Sequence, residues 1–465
     1  MIGESLLEHK SSNLICKEME SINLTEGGIM RNIVNFSLPY LLSYFMQVLY
    51  GMVDLFIIGQ YCGVESITAV SIGSQVMHML TVIIIGLAMG STVVIGQAIG
   101  ANNTRKASLA VGNTITLFMC FSVFLTVVLL ASTRGIVDLI ATPTEAVDGT
   151  INYLLICFVG IPFIVAYNII ASIFRGLGDS KSPMYFIAIA CVANILFDIL
   201  FIGILQLDAA GAALGTTLAQ TLSVVISLMM IRRRKSINMV RGDLRPRQEA
   251  MGAVLKIGIP VALQDGFIQV AFIIITVIAN MRGLTDAAAV GIVEKLIGAL
   301  FLVPSSMLSA VSAIGAQNVG AGKYWRAQQT LWNAMAVVLA YGLVISVIIQ
   351  FFADDVIAVF TDDAGVIKSG GEYIRSYIWD TGIAGIHFCF SGFFCAYGYS
   401  IVSFIHNMSS ILFRVPLCYL FSIHNPDNLY PMGAATPIGS FVSVLACVVV
   451  YVWLKRSGRL KNTKE

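Results

Sequence analysis

The segment Gln97-Ala-Ile-Gly-Ala-Asn102 recurs 220 residues further along the chain as Gln317-Asn-Val-Gly-Ala-Gly322. Three further matches have nearly the same spacing: Gly63-Val-Glu-Ser-Ile-Thr-Ala-Val70 with Gly283-Leu-Thr-Asp-Ala-Ala-Ala-Val290, Pro39 with Pro260, and Gly211-Ala-Ala213 with Gly433-Ala-Ala435. Self-similarity at one fixed spacing is typical of a repeated structural unit. We therefore expect a duplicated chain whose two halves contain the same elements in the same order.

The composition places both halves in a membrane. Charged residues make up 12% of the 465 residues, hydrophobic residues make up 57%, and the mean hydropathy is +0.85. A soluble globular protein carries about 25% charged residues, so this chain has too few to cover a water-facing surface. A soluble enzyme, a nucleic-acid-binding protein and a disordered scaffold are excluded. The nine cysteines are scattered without a CxxC pair, which predicts neither a zinc site nor a disulfide framework.

Apolar runs of about twenty residues or more predict twelve transmembrane spans. They cover residues 32–59, 66–97, 107–132, 146–174, 181–204, 210–232, 251–280, 287–318, 326–352, 367–398, 401–421 and 432–456. Six spans per half is an even number, so both halves enter the membrane in the same direction. This predicts an all-α polytopic fold of two six-helix bundles, related by a pseudo-two-fold axis along the membrane normal. The polar N-terminal residues contain no apolar stretch, so we expect no cleavable signal peptide.

The positions of the charges predict the topology. Of the 28 Lys and Arg residues, 21 lie in the termini and the loops of one side. The positive-inside rule therefore places both termini in the cytoplasm, and the acidic loop with Asp354, Asp355, Asp362 and Asp363 outside. The predicted organisation is a cytoplasmic N-terminal segment (1–31), an N-lobe (32–232), a basic cytoplasmic linker (233–250), a C-lobe (251–456) and a cytoplasmic tail (457–465). We expect a multi-pass protein of the cell membrane.

Several polar side chains of the first half are predicted to lie at one depth within the membrane. Asp54 in span one, Asp198 with Asn194 one turn below it in span five, Thr216 in span six and Tyr153 in span four all lie five to seven residues from the outer ends of their spans. Gln47 is two turns from Asp54 on the same helical face. These oxygen atoms suit a hard cation such as Na⁺, whereas two neighbouring carboxylates could equally share a proton.

The second half lacks this set. At the repeat spacing Asp54 corresponds to Ile275, Asn194 to Arg414 and Asp198 to Cys418. The polar residues found there instead are Glu294 in span eight, Asp380 in span ten, Arg414 in span eleven, and Asp265 with Gln269 in span seven. Together with Asn168 of the first half, they are candidates for a substrate cavity, and internal ion pairs of Arg414 with a carboxylate are an equal alternative.

Several segments in this order, on twelve spans, resemble the multidrug and toxic compound extrusion (MATE) family. They are Pro39 with Gly51-Met-Val-Asp54, Gly96-Gln-Ala-Ile-Gly-Ala-Asn-Asn103, Arg175-Gly-Leu-Gly-Asp-Ser-Lys-Ser-Pro183, Asn194-Ile-Leu-Phe-Asp198, Gly211-Ala-Ala-Leu214, Ala316-Gln-Asn-Val-Gly-Ala-Gly322 and Arg414-Val-Pro416. The resemblance implies two lobes in a V shape. It also implies a cation site at Asp54, Asn194, Asp198 and Thr216, with Gln47 and Tyr153 at matching positions. Another branch of the family uses a glutamate in span seven and an aspartate in span ten. This sequence does not match that pattern, because Gln269 and His387 lie near those two positions.

The resemblance thus implies an antiporter, and not an enzyme, that exports drugs, toxic organic cations or related metabolites in exchange for Na⁺ or H⁺. The expected partners are the lipid bilayer and an amphipathic or cationic small molecule; we expect no nucleic acid, no cofactor besides the coupling ion, and a monomer. A flippase for lipid-linked precursors is the alternative. It should have a strongly basic central cavity, whereas Lys295 and Arg414 are the basic residues predicted within the spans.

Overall fold

The computed structural model describes residues 23–140, 142–233 and 240–460. Helices occupy nearly all of these residues. The helices that correspond to the twelve predicted spans are Ile29–Tyr61, Val64–Gly100, Thr104–Leu139, Val147–Val159 with Ile161–Gly176, Lys181–Asp198 with the π-helical Ile199–Ile204, Asp208–Arg233, Gln248–Asn280, Leu284–Leu300 with Leu302–Gly320, Tyr324–Ala358, Ala364–Tyr377 with Asp380–Ala396, Ser400–His424 and Tyr430–Arg456. Residues 1–22, 234–239 and 461–465 of the predicted N-terminal segment, linker and tail lie outside the described residues.

The predicted all-α polytopic class is confirmed. Within the described residues, ten helices are long and apolar enough to cross a bilayer, and the pair Thr144–Val159 and Ile161–Gly176, bent by 50°, makes an eleventh candidate. The predicted span ten is not among these candidates. It consists of two shorter helices, of 14 and 17 residues, and the first of them carries the charged Lys368 and Arg375. One prediction needs correction: Asp354 and Asp355 lie within the helix of span nine and not in a loop.

The backbone repeats with the same spacing as the sequence. Asn102 and Gly322 have positive φ angles of 53° and 74°, and Gly178 and Gly398 have positive φ angles of 89° and 79°. Each pair is separated by 220 residues, and each marks the turn after a span at the same place in its half. The duplication predicted from sequence is therefore present in the local geometry of the chain, and residues of the two halves can be compared position by position.

Two bundles form, and spans one and seven each begin in the core of the other bundle. Ile33 and Phe36, in the first two turns of span one, are buried with side chains of the second half such as Phe390 and Tyr451. Val254, Ile257 and Val261, at the start of span seven, are likewise buried in the core of the first half. Each of these two helices therefore connects the bundles mechanically. The lobe boundaries at 32–232 and 251–456 stay a prediction.

The bundles meet at the end that carries the basic loops with Arg105, Lys181 and Lys323, which we call the basic end. Gln97 Nε2 donates to the carbonyl oxygen of Ala396 at 2.8 Å, and Gln317 Nε2 donates to that of Gly176 at 3.1 Å. These bonds are related by the repeat. A Cβ atom at Gly100 would overlap the backbone of Gln317, and one at Gly320 would overlap the backbone of Gln97. We call this symmetric contact the basic-end seal.

Two segments outside the spans fasten each bundle to the other. Residues 23–28 precede span one, yet the Leu24 N–H donates to Gln317 Oε1 at 3.2 Å, and Lys323 Nζ donates to the Thr25 carbonyl at 3.1 Å. Before span seven, the buried Asp243 pairs with Arg105 of span three. The linker is thereby held on the first half, and the N-terminal segment on the second.

Asn113 of span three is the side chain that anchors the linker most completely. Its Nδ2 donates to the Asp243 carbonyl at 3.2 Å, and its Oδ1 accepts from the Arg247 N–H at 2.7 Å. Asn113→Ala removes the hydrogen-bond partner of the Arg247 N–H and leaves the buried Asp243 carbonyl without one, which costs about 1–3 kcal/mol for the buried group. We expect a lower unfolding temperature of the detergent-solubilised protein. The exposed Asn280→Ala is the control, and equal unfolding temperatures of the two variants would contradict this assignment.

Candidate functional site

The structure brings the predicted cation residues of the first half together. Asp54, Asn194 and Asp198 are buried, with Asp198 fully inaccessible. Thr216 Oγ1 donates to Asp54 Oδ2 at 3.3 Å. The Asp54 carboxylate also faces Asp198 and Asn194. Spans one, five and six thus each contribute to one cluster, which we call the N-bundle cluster (Asp54, Asn194, Asp198 and Thr216), and the shared depth predicted from sequence becomes direct proximity.

Most polar atoms of the N-bundle cluster have no protein partner. Among the described residues, Asp54 Oδ1, both carboxylate oxygens of Asp198, and both amide atoms of Asn194 make no hydrogen bond. Buried polar groups are normally paired, because an unpaired group loses its hydration without compensation. Converging carboxylate and amide oxygens fit a hard monovalent cation, and a proton shared between the carboxylates would also relieve their repulsion. The residues present therefore fit Na⁺ or H⁺.

Gly215 of span six is a site residue that the sequence reasoning missed. A Cβ atom at this position would overlap Asp198 Oδ1. Only glycine lets span six approach the carboxylate so closely, and the adjacent Thr216 then reaches Asp54. The glycine lies in the stretch Gly211-Ala-Ala-Leu-Gly-Thr-Thr217, whose small residues were the available signal.

We therefore expect Gly215→Ala to displace the Asp198 carboxylate and to weaken the cation binding predicted for the N-bundle cluster. The measurement is the cation concentration that gives half-maximal efflux in proteoliposomes, which should rise about tenfold or more for a loss of at least 1.4 kcal/mol. The matched control is Gly51→Ala in span one, where an added Cβ would meet no atom within 4 Å. Equal half-maximal concentrations for the two variants would refute the role of Gly215.

Tyr153 and Gln47 take different places around this cluster. Tyr153 is buried, packs against Gly73 of span two, and lies within electrostatic range of Asp54. Gln47 lies further toward the basic end, where it lines a small cavity of about 30 Å³ with Tyr167, Asn168 and Arg175. A cavity of this size has room for about two water molecules. Gln47 and Asn168 thus belong to the lining of this small cavity and not to the N-bundle cluster.

The second half holds a different buried cluster. Arg414 and Asp380 form an ion pair with an Nη2 to Oδ2 distance of 3.6 Å, and Arg414 also donates to Ser440 Oγ at 3.2 Å. Tyr373 donates to Glu294 Oε1 at 3.3 Å. Asp380 and Arg414 are buried, so they are internal residues and not an open cavity wall. The internal ion pair that the sequence left as an alternative is the arrangement observed.

Asp265 and Gln269 lie apart from that cluster, on the face of span seven near span two. A Cβ atom at Gly86 of span two would come within 2.6 Å of Asp265 Oδ2. Gln264 Nε2 donates to Asp265 Oδ1 at 3.3 Å. Gln269 is one turn further from the basic end and is partly exposed. The predicted cavity residues are therefore divided among three places: the second-half cluster, this contact between the bundles, and the small cavity at Asn168.

Comparison with known proteins gives one consistent family. The family model described as MatE matches residues 39–200 and again 260–420, once in each half. The probable multidrug resistance protein YpnP of Bacillus subtilis is 27% identical over 447 residues, which cover 96% of this chain and 99% of that protein. The probable multidrug resistance protein YoeA of Bacillus subtilis is 26% identical over 443 residues, which cover 93% and 96%. The outward-facing structure of a multidrug resistance MATE family transporter superimposes with a TM-score of 0.88 at 21% identity, covering 96% of this chain and 99% of that chain.

Proposed function

Because this chain belongs to the MatE family, whose members are transporters and not enzymes, we propose that it is an antiporter that exports small amphipathic or cationic molecules in exchange for Na⁺ or H⁺. The observation that carries this proposal is the N-bundle cluster, in which two buried carboxylates face each other with unpaired oxygen atoms. Two such charges repel strongly in a medium of low dielectric constant, so one cation or proton stabilises the cluster markedly.

Cation binding would act on the bundles through span one. Its first turns, with Ile33 and Phe36, are packed in the second half, whereas Asp54 near its other end contacts spans five and six of the first half. A cation between Asp54 and Asp198 draws these helices together, and its release lets them separate. Since span one joins both bundles, this local change shifts the equilibrium between two states of the protein, in which the cleft between the bundles is open to the outside or to the inside of the cell.

The substrate would bind between the bundles, on the side away from the basic-end seal. The outer halves of spans two and eight expose polar or small residues. These residues are Ser71, Gln75 and His78 in span two, and Gly291, Lys295 and Gly298 in span eight. Lipid-facing surfaces carry large apolar side chains instead, as on span nine with Leu343 and Phe351. With the basic end in the cytoplasm, this cleft opens outward.

A flippase for lipid-linked precursors is not favoured. Its anionic substrate would require a strongly basic cavity, whereas Arg414 is buried beside Asp380 and its charge is compensated. Among the exposed residues of spans two and eight named above, Lys295 is the one Lys or Arg residue. The relatives YpnP and YoeA are both named as probable multidrug resistance proteins, which supports export of small molecules.

The test uses purified protein in proteoliposomes with a fluorescent cationic dye, under separately imposed Na⁺ and pH gradients. We expect dye efflux to be driven by one of the two gradients and to stop when that gradient is dissipated by the matching ionophore. Dye movement that is independent of both gradients would refute the proposed cation antiport.

A further inference from the structure

Arg414 lies in the second half at the position that Asn194 has in the first. The two residues are 220 apart, and each follows by 16 residues a glycine with positive φ, Gly398 and Gly178. Because the helices start from the same backbone landmark, Arg414 and Asn194 lie at the same depth and on the same face of spans eleven and five. The guanidinium of the second half therefore extends from the position at which the first half presents a neutral amide.

The groups around this guanidinium are those that a cation requires. Ser440 Oγ of span twelve accepts from Arg414 Nη2 at 3.2 Å, and Asp380 Oδ2 of span ten lies 3.6 Å from the same nitrogen. The ring of Phe272 in span seven faces the guanidinium, with 5.8 Å from the Cζ atom to the ring centroid. A hydroxyl, a carboxylate and an aromatic face thus surround one positive charge.

A second carboxylate completes the cluster. Glu294 of span eight accepts from Tyr373, and it lies within electrostatic range of Arg414. Cys418, at the position corresponding to Asp198, lies within range of both Glu294 and Arg414. In the second-half cluster, which we call the C-bundle cluster (Glu294, Tyr373, Asp380, Arg414 and Ser440), Arg414 and Tyr373 occupy the repeat-related positions of Asn194 and Tyr153.

The two clusters share part of their composition. Thr216 of span six and Ser440 of span twelve each supply a hydroxyl, and Tyr153 and Tyr373 are buried tyrosines 220 residues apart in spans four and ten. The carboxylates come from spans one and five in the N-bundle cluster and from spans eight and ten in the C-bundle cluster. The net charges of the two clusters also differ. The N-bundle cluster has two carboxylates and no positive group of its own, whereas the C-bundle cluster has two carboxylates and one guanidinium. Adding one monovalent cation to the N-bundle cluster makes the charge of the two clusters equal.

We propose that Arg414 is a tethered cation, which permanently fills in the second bundle the place that a dissolved cation fills in the first. The proposal rests on the cation coupling proposed above for the N-bundle cluster. The second bundle then needs no dissolved ion and keeps one charge state throughout the transport cycle. Transport then depends on whether a dissolved cation occupies the N-bundle cluster alone. One ion site therefore accounts for the dependence of transport on the cation.

An ordinary structural ion pair would give a different result when Arg414 is removed. Breaking such a pair leaves Asp380 buried without a counter-charge, and this destabilises the protein whatever ion is present in solution. If Arg414 takes the place of an ion, a smaller neutral residue opens that place, and a dissolved cation stabilises the variant by mass action. Asparagine is the appropriate substitution, because it is the residue at the same position of the first half.

The experiment measures the unfolding temperature of the full-length, detergent-solubilised protein during titrations of Na⁺, with choline as the replacing ion, and of pH. The background is Asp54→Asn with Asp198→Asn, which removes the cation site of the first bundle. We expect no stabilisation by Na⁺ or by protons in this background. Adding Arg414→Asn should restore a saturable rise of unfolding temperature with Na⁺ or with protons, whereas Arg414→Lys, which keeps the charge, should not.

Each outcome decides one claim. A background that keeps the ion response of the unmodified protein refutes the N-bundle site, and so the proposed function. If instead Arg414→Asn is unstable at every Na⁺ concentration and pH, and is rescued only by adding Asp380→Asn, then Arg414 is a structural partner and the tethered-cation proposal is wrong. The Asp380→Asn variant also gives a folded comparison if Arg414→Asn alone fails to fold.

Discussion

Asp198→Asn should reduce cation-driven efflux about 100-fold or more. Asp198 is fully buried, and neither of its carboxylate oxygens has a hydrogen-bond partner among the described residues. A bound cation would therefore depend on it strongly, and losing one member of a buried charge pair costs about 3–5 kcal/mol. Efflux is measured in proteoliposomes under the driving gradient identified for the unmodified protein.

The control for this prediction is Asp138→Asn, since Asp138 is an exposed carboxylate near the end of span three, away from the N-bundle cluster. Its efflux should equal that of the unmodified protein. Asp54→Asn should behave like Asp198→Asn, because both carboxylates would hold the same ion. Undiminished efflux in both N-bundle variants would rule out the site.

Gly100→Val and Gly320→Val should each abolish transport, and to the same extent. At both positions an added Cβ overlaps the backbone of the opposite bundle, so a larger side chain prevents the basic-end seal from closing. A transporter that cannot close this end cannot complete a cycle of alternating access. The equal effect follows from the pseudo-two-fold axis, which relates Gly100 with Gln317 to Gly320 with Gln97.

Gly252→Val is the matched control, because Gly252 lies in span seven near the same end and an added Cβ would meet no atom within 4 Å. Efflux is measured on protein that elutes as a single species in size-exclusion chromatography. Normal efflux by Gly100→Val, or an equal loss in Gly252→Val, would contradict the role of the seal.

Hydropathy and the repeat predicted most of the architecture, since both depend on order along the chain. The span boundaries agree to within a few residues for most helices, because the bilayer thickness fixes how long an apolar run must be. The common depth of Asp54, Asn194, Asp198 and Thr216 follows from the same argument. Counting residues from the outer ends of alternating spans was enough to place these four residues in one layer.

Packing between spans could not be predicted in this way. That span one begins in the second bundle depends on where Ile33 and Phe36 are buried, and nothing local marks it. The pairing of Arg414 with Asp380 was one of two open alternatives, because spacing gives depth and not the direction of a side chain. Gly215 was missed for the same reason, since its importance depends on how closely Asp198 approaches it.

The most direct test of the central claim is the release of bound cation when substrate is added to the purified protein, measured with radioactive Na⁺ and, in parallel, with a pH indicator in weakly buffered solution. The unmodified protein should release one of the two ions on substrate addition, and Asp198→Asn should release neither. Equal release by the two proteins would contradict a coupling site at Asp54 and Asp198.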